Sequence, residues 1–183
     1  LSIYQFASDV GYKAEKALQE LKAQGAQAII LDLRTNPGGI LDEAVKLASN
    51  FIEDGTVVTV KSRRKEDEVY NTVSDIQAVD LPMVVLINEG SASASEIVAG
   101  AISDYNRGQL VGQKTFGKGT VQTVIPLGDG SALRLTTARY YTPNGTFIHE
   151  KGIVPDVEVE FDQESEEDQQ LQKAIEILED KLS

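Results

Sequence analysis

A layered α/β domain is the fold class the sequence predicts, on three observations. Two apolar runs, Ala28-Ile29-Ile30-Leu31-Asp32-Leu33 and Met83-Val84-Val85-Leu86-Ile87, are nearly continuous, as in strands buried on both faces. Segments with apolar residues at a 3.6-residue period follow or separate them, and each run stops at a glycine-containing turn. With 183 residues, 41% hydrophobic and 25% charged, the chain has the size and composition of one domain, residues 1–183, with its own core.

Ile3-Tyr4-Gln5-Phe6 alternates like a strand, and Ser8 or Asp9 can cap a helix carrying Val10, Ala14, Ala17, Leu18 and Leu21 on one face, ended by Gly25. The first buried run then stops at Asn36-Pro37-Gly38-Gly39. A helix from about Ile40 to Ile52 presents Leu41, Ala44, Val45, Ala48 and Ile52, and Thr56 to Val60 resumes a strand. Polarity rises from Ser62 to Asp80, a surface stretch with one exposed strand near Glu68 to Val73. The second buried run leads through Asn88-Glu89-Gly90 into a small-residue helix from about Ala92 to Asp104. Gln109 to Val111, Val121 to Leu127 and Ala132 to Tyr141 read as strands, the last two joined by Gly128-Asp129-Gly130. After an acidic block, Glu164 to Asp168, that reads as a solvated first turn, Leu171, Ile175, Leu178 and Leu182 mark a terminal docking helix.

Composition excludes several function classes. Net charge is −12, from 29 acidic and 17 basic residues, and the bases are scattered apart from Lys61, Arg63, Arg64 and Lys65, so no nucleic-acid partner is expected. No apolar run is long enough for a membrane span, and no signal-peptide pattern opens the chain. The absence of cysteine removes thiol chemistry and cysteine-ligated metals, and no metal or organic cofactor is expected. The chain opens without Met inside a strand-like run and reads as a processed or excised core.

The segment Gly90-Ser91-Ala92-Ser93-Ala94-Ser95-Glu96 carries the chemistry. A strand passing through a glycine turn into a helix leaves the first helical amides unpaired, and small side chains let a peptide backbone approach. Residues two apart on a helix point about 200° from each other, so at most one of the three serines is a nucleophile. The same pattern is also an ordinary cap and close-packed helix start. The sole histidine, His149, sits in a turn-rich stretch and reads as a hydrogen-bonded turn residue rather than the base. Among the lysines Lys118 stands out, flanked by Gly117 and Gly119 and preceded by Phe116, which could help exclude water. A lysine acts as a base only when burial lowers its pKa. The Gly38-Gly39 turn is the candidate second half of an oxyanion hole, and is equally a plain tight turn.

Leu33-Arg34-Thr35-Asn36-Pro37-Gly38-Gly39, Gly90 to Glu96, Thr115-Phe116-Gly117-Lys118-Gly119-Thr120-Val121-Gln122, and Tyr141 to Gly145 with Lys151 to Asp156 together resemble the carboxyl-terminal processing proteases, the tail-specific serine peptidases of family S41. The resemblance spans nearly the whole chain. It implies a Clp-protease/crotonase-like α/β core of ββα units, a mostly buried sheet flanked by helices, with C-terminal strands and a helix. It implies Ser93 as nucleophile, Lys118 as base and Gln122 as the residue orienting the lysine. Ala94 with Gly38 or Gly39 would form the oxyanion hole, with Glu96 and Asp104 as supporting carboxylates. It further implies cleavage of unfolded or C-terminally exposed proteins, an extracytoplasmic or periplasmic setting, and an N-terminal PDZ module outside residues 1–183. Two rivals remain at this level: a non-catalytic peptide-binding domain, and a crotonase-like acyl-CoA enzyme, which the lack of a basic cluster for a nucleotide phosphate disfavours.

Overall fold

The computed structural model describes residues 1–63, 65–162, 165 and 167–183. Arg64 of the basic run and Glu164 and Glu166 of the acidic block lie outside the described residues. The element order is α1 (Val10–Ala23), β1 (Ile29–Asp32), α2 (Leu41–Ser49), β2 (Thr56–Ser62), β3 (Glu68–Asn71), β4 (Met83–Ile87), α3 (Ala94–Asp104), β5 (Gln109–Gly112), β6 (Thr120–Pro126), β7 (Ala132–Tyr141), β8 (Val157–Glu158) and α4 (Gln169–Leu182).

Two four-stranded sheets organise the chain. One is parallel, in the order β1-β4-β5-β8; the other is antiparallel, in the order β3-β2-β7-β6. The apolar runs form β1 and β4, an edge strand and an inner strand of the parallel sheet; successive side chains of a strand point to opposite faces, and both faces are covered. Met83, Val85 and Ile87 pack with Leu31, Ala14, Leu47 and Ile102 in a core that includes α1, α2 and α3. Val84, Leu86 and Val111 face the other way, against Ala174 and Leu178 of α4. The terminal helix is therefore the second layer of the sheet, and all five β4 residues are buried.

Three expectations are corrected. The alternating opening is not a strand: it touches the fold through isolated bridges at Ser2 and Phe6, and Tyr4 between them is 80% exposed. On α4 the buried positions are Gln170, Ala174 and Leu178, with Leu171 and Ile177 packed beside them, whereas Leu182 is exposed. Asp168 is not part of a merely solvated turn. It caps α4 by accepting from Leu171 N–H (3.0 Å) and pairs with Arg34 across the fold.

β1, β4 and β5 are neighbours running in one direction, so the segments that leave their carboxyl ends emerge on one edge of the sheet. In open parallel sheets that edge is where ligands bind. The three segments are the Asn36-to-Gly39 turn, the Asn88-to-Ser93 turn and the loop leading to Lys118.

Candidate active site

The structure sorts the three serines. Ser91 is fully buried, and its Oγ donates to the Leu33 carbonyl (2.8 Å) while accepting from Asn88 N–H (3.0 Å). Ser95 is also fully buried and donates to the Asn36 carbonyl (2.9 Å). Both hydroxyls tie the turn after β4 to the turn after β1. Ser93 alone is partly accessible. It is the N-cap of α3, with φ 56° and ψ −111°, a conformation that costs a non-glycine residue of order 1–3 kcal/mol and persists only where the surroundings enforce it.

Glu96 supplies that enforcement. One turn into α3 and fully buried, its carboxylate takes four donors. Oε2 accepts from Ser93 N–H and from Lys118 N–H, each at 2.8 Å; Oε1 accepts from Gly117 N–H (2.7 Å) and Thr115 Oγ (2.6 Å). The Ser93 and Lys118 amide nitrogens thus sit 2.8 Å from one shared oxygen, so the two backbones are neighbours although 25 residues separate them. The reach back from Glu96 to the Ser93 amide is half of a capping box; the other two amides it accepts extend that device to a second loop. Thr115, nearly buried, continues the network by accepting from Ile153 N–H (2.7 Å).

The turn after β1 closes the other side. Gly38 has φ +99°, and a Cβ there would lie 2.7 Å from the Ala92 carbonyl oxygen, 2.8 Å from Ser93 Cβ and 2.9 Å from Ala94 N. Only glycine permits that approach. Gly38 N–H donates to Asn36 Oδ1 (2.9 Å), so among the described residues its amide is committed, while Gly39 and Ala94 donate in no hydrogen bond shown. Asn36, fully buried, holds the turn: its Nδ2 donates to the Ile3 carbonyl (2.6 Å), and its own carbonyl accepts from Ala92 N–H and Ser95 Oγ, each at 2.9 Å.

The remaining candidates fall less tightly. The burial expected of a lysine base is not found here: the Lys118 side chain is exposed and makes no hydrogen bond or ion pair among the described residues, so only its backbone is held at the site. Phe116, expected to exclude water, is itself 68% exposed. Gln122 lies on the exposed β6–β7 hairpin and donates to Thr136 Oγ (3.0 Å) directly across the ladder, and no hydrogen bond joins its side chain to Lys118 among the described residues. Asp104 is at the opposite end of α3, about 16 Å along the axis from Ser93 at 1.5 Å per residue, where it accepts from Asn144 N–H (2.7 Å) and fixes the Pro143-Asn144-Gly145 turn. His149 lies closer than its turn-rich context suggested, with Nδ1 3.2 Å from the Gly117 carbonyl, and a Cβ on Gly119 would run into the His149 amide nitrogen.

The sequence reading missed Thr115, Asn36 and Asn88. Asn88 accepts from Thr35 and Gly90 amides (2.7 and 3.0 Å) and donates to Thr35 Oγ (3.2 Å), joining two of the three turns. Asn88 alone carried a signal, as a short polar residue directly after a buried strand, where unpaired backbone groups need side-chain partners. A cavity of about 1020 Å³ lies elsewhere, lined by Phe51, Asp54, Asp75, Asp80, Tyr105 and Arg107 among others. The guanidinium of Arg107 is spent on the Phe51, Val79 and Leu81 carbonyls.

Residues 1–159 match the family model described as Peptidase family S41. A Staphylococcus aureus protein named "Probable CtpA-like serine protease" is 44% identical over 162 residues, which is 87% of this chain and 33% of that protein. The chain thus spans about one third of the length of such relatives. Among solved structures, a photosystem II D1 C-terminal processing protease superposes with a TM-score of 0.80 at 39% identity, covering 87% of this chain and 41% of that one. A tricorn protease shares the fold at 23% identity, with a TM-score of 0.59 over 85% of this chain and 15% of its own. With a family match over most of its length and the sheet edge that holds Ser93, Glu96 and Lys118 inside that match, the chain belongs to peptidase family S41.

Proposed function

We propose that this chain is the catalytic core of a serine endopeptidase in which Ser93 is the nucleophile and Lys118 the general base. The observation that carries the reading is the Glu96 carboxylate, which takes the Ser93 and Lys118 amides on one oxygen. Ser93 Oγ attacks the scissile carbonyl while Lys118 Nζ takes its proton, and the carbonyl oxygen becomes an oxyanion facing backbone amides. Ala94 and Gly39 are the uncommitted donors beside the turn; the Gly38 amide could join only after releasing Asn36. Collapse of the tetrahedral intermediate breaks the C–N bond, Lys118 returns the proton to the leaving amine, and water hydrolyses the acyl-enzyme. Lost oxyanion donors typically cost on the order of a hundred- to a thousandfold.

Cleavage of unfolded proteins or exposed C-terminal tails is the substrate class this reading favours, supported by the relative named for C-terminal processing. An extracytoplasmic setting and delivery of substrate by a PDZ module belong to the same reading, and both rest on the family resemblance. Gln122 would orient Lys118 through its side-chain oxygen, or through its amide nitrogen after leaving Thr136.

The test is proteolysis of casein by wild type, Ser93→Ala and Lys118→Ala, each checked for folding. Cleavage by wild type alone supports the dyad, and cleavage by all three refutes the assignment. Binding of peptide without turnover by wild type would favour the non-catalytic alternative.

A further inference from the structure

We propose that α4, which lies beyond the residues matched to the family, positions the turn beside Ser93 by holding Arg34 through Asp168 and Gln170. Arg34 directly precedes Thr35-Asn36-Pro37-Gly38, and its guanidinium is engaged on every edge. Asp32 takes Nε (3.0 Å) and one terminal nitrogen (2.7 Å). Asp168 takes both terminal nitrogens, at 2.9 and 2.8 Å, and the Gln170 side-chain carbonyl takes one of them at 3.2 Å. The fork to Asp168 is bidentate, the geometry in which arginine gives orientation as well as charge pairing. Gln170 is 1% exposed and is fixed at its other end, where Nε2 donates to the Val159 carbonyl (2.8 Å). The clasp is thus anchored on the helix and on the sheet edge together.

A second observation shows what the clasp holds. Thr35, immediately after Arg34, has φ +57°, a left-handed conformation that is strained for a β-branched residue and needs restraint from both sides. Asn88 restrains it through its amide and hydroxyl, and Arg34 fixes the chain that enters it. One residue later, the Asn36 carbonyl holds Ala92 N–H and Ser95 Oγ, on either side of Ser93. The path from α4 to the nucleophile is therefore Asp168 to Arg34 to the Thr35-Asn36 backbone to the Ser93 turn. The helix does not need this pair to dock, because Ala174, Leu178, Leu171 and Ile177 already seat it on the sheet. The catalytic consequence rests on the reading of Ser93 given above.

Asp168→Ser tests the inference, since serine keeps an oxygen that can cap α4 while removing the fork to Arg34. Amide hydrogen exchange of Asn36 and Gly38, whose N–H groups donate to the Leu33 carbonyl and to Asn36 Oδ1, is measured in the variant and in wild type, with kcat and KM on a casein-derived peptide. Exchange at those amides is expected to accelerate and kcat to fall, each about three- to tenfold, with KM within about twofold, as for loss of one partner in a coupled network. Asp168→Asn, which retains the cap and one acceptor for Arg34, should give an intermediate value of both. Combining Asp168→Ser with Arg34→Gln should cost no more than Arg34→Gln alone. Unchanged exchange in folded Asp168→Ser, or effects that multiply in the double variant, would overturn the inference. Faster exchange in a protein whose wild type cleaves nothing would leave the positioning role standing and remove the catalytic reading instead.

Discussion

Three serines in five residues are indistinguishable by composition, and burial separates them. Ser91 and Ser95 spend their hydroxyls on the Leu33 and Asn36 carbonyls, whereas Ser93 sits at the accessible, strained cap. Two substitutions probe that arrangement. Glu96→Gln replaces a four-donor acceptor with a group that presents its own NH₂ to some of those donors, leaving buried donors unsatisfied at about 1–3 kcal/mol. Its melting temperature should drop, and proteolysis should fall at least about tenfold as the Ser93 and Lys118 backbones separate. Gly38→Ala forces a Cβ against Ala92, Ser93 and Ala94 at a φ that only glycine tolerates well. It should cost about 1–3 kcal/mol in urea unfolding, with a larger proportional loss of kcat than of stability. The serine cluster and Lys118 were legible from motif and local pattern. The Thr115 and Asn36 connections were not, because each pairs a residue with a backbone group brought near only by the sheet. Gln122 and Asp104 show the same limit: a position in a motif does not reveal that Gln122 is held by Thr136 or that Asp104 lies a helix length away.

At the scale of elements, continuous apolar runs gave β1 and β4 because strands buried on two faces lose their alternation, and the periodic segments gave α1 to α4. β8 escaped because two residues, Val157 and Glu158, carry no period. The opening run misled because alternation also describes a chain lying along the fold and bridging it only at Ser2 and Phe6. The α4 stripe shifted because Gln170 is buried as a polar clamp, which a hydrophobic pattern cannot mark. Leu178→Ala removes the deepest leucine of that helix from the layer over Val84, Leu86 and Val111 and should destabilise the fold by about 2–5 kcal/mol, read from chemical denaturation. Less than about 1 kcal/mol would mean that α4 is not a structural layer of the sheet.

For the whole molecule, acid stability follows from two carboxyls tying distant segments. Arg34 beside Asp168 holds that carboxyl below its ordinary range. Burial alone would raise Glu43, but the Gly11 amide and Lys46 outweigh it and hold it low as well. A carboxyl lowered in the folded state contributes stability above its unfolded value of about 4, and that contribution is lost as pH falls through the lowered folded value. The melting temperature should therefore decline below about pH 4, and Glu43→Gln should start lower and flatten that decline; an unchanged slope would remove Glu43 from the account. The proposed chemistry depends on three turns meeting at one sheet edge. The most direct measurement is intact and peptide mass spectrometry after treatment with a serine-reactive fluorophosphonate. One adduct on Ser93, absent in Ser93→Ala and formed at least about tenfold more slowly in folded Lys118→Ala, is the predicted result; labelling of another serine, or a rate indifferent to Lys118, would contradict it.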